Sequence, residues 1–173
     1  MFTSDFWDSL QYKKNAWCGS LNAPLLNSRD KLVLVVLDEE KEGILEIQKN
    51  ACDKYIQNVD SYVDSVSDVI LNYYKWHFEE IEKKVRLDEA DHKDIITDNE
   101  LYKMITLWYL FVCRDGSYGW AFGCCWDVEN GLAVLLSESE PRVISRTQLQ
   151  NLRKLNDPTL GLFVHDCQNS WKG

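Results

Sequence analysis

The sequence of 173 residues lacks the features that mark secreted, membrane-spanning or multidomain proteins. No basic segment followed by an apolar one occurs near its start, so we expect no signal peptide. The longest strongly apolar run, Leu32 to Leu37, is far too short to span a bilayer. No tract is rich in Pro, Gly and Ser, and no internal repeat occurs. We therefore expect one cytoplasmic domain over residues 1–173.

Sequence motifs for common enzyme chemistries are absent as well. The chain has no Gly-x-Gly-x-x-Gly, no Walker loop, no Gly-x-Ser-x-Gly elbow and no His-Glu-x-x-His. We therefore expect no organic cofactor.

The six cysteines include no Cys-x-x-Cys pair, and His165 with Cys167 would supply at most two zinc ligands. We expect no metal, and we expect Cys113, Cys124 and Cys125 to be small core thiols in a reducing compartment. A nucleophilic Cys–His pair stays open, because any cysteine can meet a histidine in the folded chain.

Basic residues are in the minority. The chain has 19 Lys and Arg against 28 Asp and Glu, for a net charge of −9. This balance argues against nucleic acid as the ligand, since phosphate binding depends on clustered Lys and Arg. It argues equally against docking on anionic membranes. A basic protein partner fits better, because opposite charges accelerate encounter. The charge does not indicate an oligomeric state.

Hydrophobic patterning predicts strands, then helices, then strands. Residues 31–37 are predicted to form a strand, and Leu32 to Leu37 within it are apolar on both alternations, which predicts a central strand covered on both faces. Apolar spacings of three and four predict helix from about Ile44 to about Lys84. One helix of that length would measure on the order of 60 Å, more than the diameter of a compact domain of this size. We therefore expect a break near residues 57–59 and two consecutive helices, the second longer.

The C-terminal half predicts a β-meander. A helical turn at residues 98–103 precedes strands at residues 105–113, 118–127, 132–136 and 142–145. Together with the N-terminal strands, this order predicts an α+β fold. Its antiparallel sheet carries the two consecutive helices on one face.

Acidic residues recur along one side of the predicted helix. Asp60, Asp64 and Asp68 follow each other at a spacing of four. Like charges at this spacing cost a few tenths of a kcal/mol each, and a basic partner would relieve the repulsion. A second acidic set, Asp88, Glu89 and Asp91, lies in a predicted loop after the helix. Both sets are candidates for partner binding, and the alternative is a solvated outer face.

The segment that most resembles a signature runs from Cys124 to Leu132. It predicts a hairpin, because Asn130-Gly131 suits a type I′ turn. Asp127 and Glu129 would share one strand face with Cβ atoms roughly 6–7 Å apart. Such a pair can serve acid–base chemistry or bind a divalent cation. One hypothesis is therefore a small hydrolase or metal-dependent enzyme centred on this pair, and the other is a structural hairpin.

The same segment carries a family resemblance. Cys124-x-Trp126-Asp127-x-Glu129-x-Gly131-Leu132 resembles the Cys-Asp-Trp-Asp-x-Glu-His-Gly-Leu signature of an uncharacterised bacterial domain family. The similarity extends over roughly residues 15 to 136, through a Trp-x-Gly element, a strand and helices. Cys125 stands where Asp is usual, and Asn130 where His is usual. These departures favour a structural role for the hairpin formed by Trp126, Asp127, Glu129, Asn130 and Gly131.

The resemblance also implies a function. Members of this family resemble proteins encoded beside secreted toxins in bacterial competition systems, where they look like immunity proteins. The resemblance implies a non-enzymatic inhibitor that binds a cognate toxin domain. One class of toxin that fits is a basic nuclease of a contact-dependent growth inhibition system. A non-enzymatic adaptor without a toxin is the remaining alternative, since family analogy does not establish function.

Overall fold

The computed structural model describes most of the chain. The described residues are 2–13, 15–21, 32–38, 41–84, 98–125, 131–137 and 140–144, with the main chain alone at 64, 77–84, 98 and 99. The C-terminal residues 145–173 lie outside them.

Within the described residues, the strands form one seven-stranded sheet in which spatial order follows chain order. The strands are β1 (Gln11–Lys13), β2 (Ala16–Leu21), β3 (Leu32–Leu37), β4 (Ile105–Val112), β5 (Tyr118–Cys124), β6 (Leu132–Leu135) and β7 (Arg142–Ile144). Neighbouring strands are antiparallel except β3 and β4, which are parallel. The predicted α+β fold and C-terminal meander are confirmed.

The helices are α1 (Ser4–Asp8), α2 (Glu46–Lys84) and α3 (Asp98–Met104). Because parallel neighbours need a long crossover, α2 and α3 connect β3 to β4. Gln48 fixes the start of α2: its side-chain oxygen accepts from the Leu45 N–H at 3.0 Å, and its amide donates to the Leu37 carbonyl at 2.7 Å. The helix is thereby joined directly to the end of β3.

The expected break near residues 57–59 is wrong, because α2 is continuous over 39 residues, roughly 58 Å at 1.5 Å per residue. The polar side chains in this region bond to their own helix. The Asn58 amide donates to the Lys54 carbonyl at 2.7 Å, and the Ser61 hydroxyl donates to the Asn58 carbonyl at 2.7 Å. Back-bonding of this kind satisfies the side chains without ending the helix. The long helix is therefore the first of the two consecutive helices.

The helix α2 packs on one face of the sheet. Tyr55, Val66 and Ile70 are buried against a cluster that includes Leu34 and Trp120. The Trp120 indole N–H donates to the Tyr55 hydroxyl at 3.1 Å, so helix and sheet share a hydrogen bond as well as apolar contacts. No helix in the described part of the chain is long and apolar enough to cross a membrane.

The central position predicted for the strand at residues 31–37 is confirmed for β3. Leu34 and Val36 belong to the cluster under α2, while Val35 and Leu37 belong to a second buried cluster on the opposite face. This alternation explains why every position of the strand is apolar.

Candidate functional site

The most elaborate polar arrangement in the described residues surrounds Asp38, a fully buried carboxylate. Asp38 directly follows β3, at the end where the chain turns toward α2. Its main-chain N–H donates to the Asn15 carbonyl at 2.9 Å. Its own carbonyl accepts from the Tyr12 hydroxyl at 2.8 Å. The backbone of Asp38 is therefore held in place independently of its side chain.

Both carboxylate oxygens of Asp38 accept two hydrogen bonds. One oxygen accepts from the Glu42 N–H at 3.1 Å and from the Arg114 guanidinium at 2.9 Å. The other accepts from the Trp17 indole at 2.9 Å and from the Gly43 N–H at 2.8 Å. Arg114 also contacts the Glu42 carboxylate at 2.6 Å. The carboxylate thus joins β2, the loop before α2 and the turn after β4.

The loop supplies its two N–H groups because its backbone turns back on itself. Lys41 and Gly43 have positive φ angles of 54° and 100°, a conformation in which successive N–H groups can converge on an anion. Burial opposes ionisation of Asp38, but the bonds from Trp17, Gly43, Glu42 and Arg114 outweigh it and lower its pKa.

The chemistry available to Asp38 follows from this saturation. A carboxylate with low pKa and four protein donors has no oxygen lone pair directed at a substrate, so its role is to hold three segments together. In the sequence, Asp38 marks only the end of the predicted strand at residues 31–37. The sequence feature that could have pointed to a buried carboxylate is an acidic residue directly after a strand buried on both faces, five positions before Gly43.

The predicted hairpin is described in part. Gly131 has φ +65°, as the second residue of a type I′ turn requires, and a Cβ there would lie 2.4 Å from the Phe122 carbonyl oxygen. The Trp108 ring lies against both Gly131 and Gly123. Trp126, Asp127, Glu129 and Asn130 lie outside the described residues, so the carboxylate pair remains a hypothesis.

The described cysteines are thiols in contrasting surroundings. Cys113 and Cys124 are buried as expected, whereas Cys125 is exposed, contrary to expectation, because it lies just beyond the end of β5. Burial, with the neighbouring Asp53 charge, raises the pKa of Cys52 to about 12, which suppresses thiolate chemistry there. Within the described ranges no three His, Cys, Asp or Glu side chains are grouped to hold a metal.

The outward face of α2 carries the candidate binding residues. Asp60 and Asp68 are exposed, Asp64 occupies the intermediate turn, and Asn72 and Trp76 continue the four-residue spacing. We call these five residues the α2 ridge. Trp76 is 54% exposed, the most exposed large apolar side chain among the described residues. The second acidic set, Asp88, Glu89 and Asp91, lies outside the described residues.

The described residues form an α+β fold. Its buried carboxylate, Asp38, holds segments of the chain together, and its candidate binding residues lie on the exposed face of α2. A family model, Domain of unknown function (DUF6985), matches residues 7–148, and the chain therefore belongs to that family. This agrees with the expected membership of an uncharacterised family. No curated protein and no solved structure matches the chain.

Proposed function

We propose that the protein is a non-enzymatic immunity protein that binds and neutralises a cognate toxin domain in the bacterial cytoplasm. The α2 ridge carries the proposal, because it presents exposed acids and an exposed tryptophan from one rigid element. The hairpin resemblance supplies the class of partner. A basic nuclease of contact-dependent growth inhibition is the form of toxin that the charge suits best.

Charge supports a basic partner. Asp60 and Asp68 are two turns apart, about 12 Å along the helix axis, and the chain as a whole has a net charge of −9. An acidic face accelerates encounter with a basic cleft and disfavours acidic competitors.

Rigidity supports tight binding. The side of α2 opposite the ridge is held in the core through Tyr55, Val66 and Ile70, which are at most 1% exposed. A surface presented from a packed helix loses little conformational entropy when it binds.

The test is co-expression with the product of the neighbouring gene. The expected result is relief of its toxicity and a stable complex that weakens as salt is raised. The double variant D60N/D68N keeps side-chain shape while removing two charges, and it should reduce both protection and affinity. D115N/E140Q removes two exposed charges from turns outside α2 and should behave as wild type. Absence of any complex and of any protection overturns the proposal.

The enzyme alternative makes the opposite prediction for the hairpin. If Asp127 and Glu129 were catalytic or metal-binding, D127A/E129A in a folded protein would abolish activity or metal binding. Under the immunity proposal, this variant protects cells as the wild type does.

A further inference from the structure

The side of the sheet opposite α2 carries the second buried cluster, and no described helix covers it. The cluster draws on β2 through β7, and its described members, among them Val35, Phe111 and Leu135, are at most 4% exposed. The helices α1, α2 and α3 contribute, in the part of the chain that the structure describes, only to the cluster on the other side. A sheet buries an apolar face by packing it against another layer. The burial of this face therefore requires a cover.

The sheet does not close over this face by itself. Its strand order runs from β1 at one edge to β7 at the other, which is an open sheet and not a barrel. The exposed fractions are those of a single chain, so the cover belongs to the chain itself. It must come from one of the segments that lie outside the described residues.

Position and length favour one of these segments. Residues 85–97 connect α2 to α3, and both helices pack on the other side of the sheet. Residues 126–130 only connect β5 to β6, and residues 22–31 connect the neighbouring strands β2 and β3. Residues 145–173 directly follow Ile144, which belongs to the second buried cluster, and they are more than twice as long as any of the other three segments.

The composition of residues 145–173 suits a cover. Leu149, Leu152 and Leu155 recur at a spacing of three, which places them within about 120° of arc on a helix. A stripe of this width is what a helix buries against a sheet. Gln150 and Lys154 would lie on the opposite side of the same helix, toward water.

We propose that residues 145–173 are the cover of the second buried cluster, with Leu149, Leu152 and Leu155 packed on the apolar side chains of the sheet. The sheet is then buried between this segment and α2, and the segment is a layer of the fold. The proposal does not depend on the toxin-binding function, and neither fails with the other.

Three thiols report on the cover. Cys18 and Cys113 belong to the second buried cluster and are at most 1% exposed, whereas Cys52 is equally buried in the cluster under α2. A buried thiol reacts with iodoacetamide only when the structure opens around it. Opening of the cover alone therefore exposes Cys18 and Cys113 and leaves Cys52 protected.

The test compares two variants of the full chain by peptide mass mapping of iodoacetamide labelling at about pH 8. L149S/L152S removes two apolar side chains from the covering side, and it should raise the labelling rates of Cys18 and Cys113 roughly tenfold or more. Cys52 should react as in the wild type. The matched control Q150S/K154S makes the same replacements on the opposite side and should leave all three rates unchanged. Leu152→Ala is a milder change for which the same pattern is expected with smaller increases.

Three outcomes overturn the proposal. Unchanged labelling of Cys18 and Cys113 in both leucine variants would assign the cover to another segment. A parallel rise for Cys52 in Leu152→Ala would show that the leucine supports the whole fold and not this face in particular. Labelling of Cys18 and Cys113 in the wild type that slows as protein concentration rises would assign the cover to a second copy of the chain.

Discussion

Replacement of Asp38 by alanine should be among the most destabilising single changes in this protein. The substitution removes the acceptor for four hydrogen bonds at 2.8–3.1 Å and leaves a void where the side chain is fully buried. Trp17 and Gly43 lose their acceptor in partly buried positions, and each such donor costs about 1–3 kcal/mol.

Two donors are easily re-satisfied. Arg114 is 34% exposed and keeps Glu42 as a partner, so its lost ion pair contributes at most about 1 kcal/mol. The Glu42 N–H belongs to an exposed residue and can bond to water. We therefore expect Asp38→Ala to lower the free energy of unfolding by about 3–5 kcal/mol, a large part of the 5–15 kcal/mol typical of a domain.

Urea unfolding followed by tryptophan fluorescence measures this change. Asp38→Asn is the informative control, because it preserves the shape of the side chain but points an NH₂ group at two N–H donors. It should therefore also lower the free energy of unfolding, although by less than Asp38→Ala. Arg114→Gln should cost about 1 kcal/mol. A loss below about 1 kcal/mol in Asp38→Ala would refute the interpretation of the buried carboxylate as a structural junction.

The pH dependence has a definite sign. Because folding lowers the pKa of Asp38, its contribution to stability is present above the unfolded value of about 3.9 and is lost as pH falls through the folded pKa. The stability of the wild type should therefore fall more steeply than that of Asp38→Asn below about pH 4. Parallel curves for the two proteins would contradict this.

Three further predictions concern the hairpin, the tyrosine pair and the thiols. Gly131→Ala should lower the free energy of unfolding by about 1 kcal/mol or more, because Gly131 has a φ of +65° and the new Cβ would lie 2.4 Å from the Phe122 carbonyl oxygen. A neutral effect in urea unfolding would contradict a structural role for the hairpin. Burial of Tyr118 and its hydrogen bond to Tyr62 at 2.7 Å raise the pKa of Tyr118. The wild type should therefore lose stability above about pH 10, and Tyr118→Phe should lose less. Thermal unfolding at alkaline pH measures the difference. At pH 8, iodoacetamide should modify the exposed Cys125 far faster than the buried Cys52. Peptide mass mapping measures the two rates, and equal rates would contradict the burial of Cys52.

Hydrophobic periodicity predicted most of the fold because it is a local property. Alternation and doubly apolar runs located β3, β4 and β6 to within about a residue or two, and the turn after β4 followed from its polar composition. The continuity of α2 was missed, since the argument for a break came from domain size. The side chains of Asn58 and Ser61 bond to carbonyls of their own helix, so their polarity does not end it.

The binding residues could be predicted only in part. The spacing of Asp60, Asp64 and Asp68 placed them on one helix side, and the exposure of Asp60 and Asp68 agrees with that. Trp76 was not recognised, because an aromatic residue on a helix is usually in the core and exposure depends on what packs nearby.

By itself, the sequence determined the strands from β3 onward, the helical region at about residues 44–84 and the acidic row, because each depends on residues within a few positions of one another. Tertiary structure alone decided that Asp38 is buried and saturated, since its partners Trp17 and Arg114 lie 21 and 76 residues away. It also decided which side of α2 meets the sheet and which side is exposed. Burial is a property of the assembled layers, and it separates the carboxylate that holds the fold together from those available to a partner.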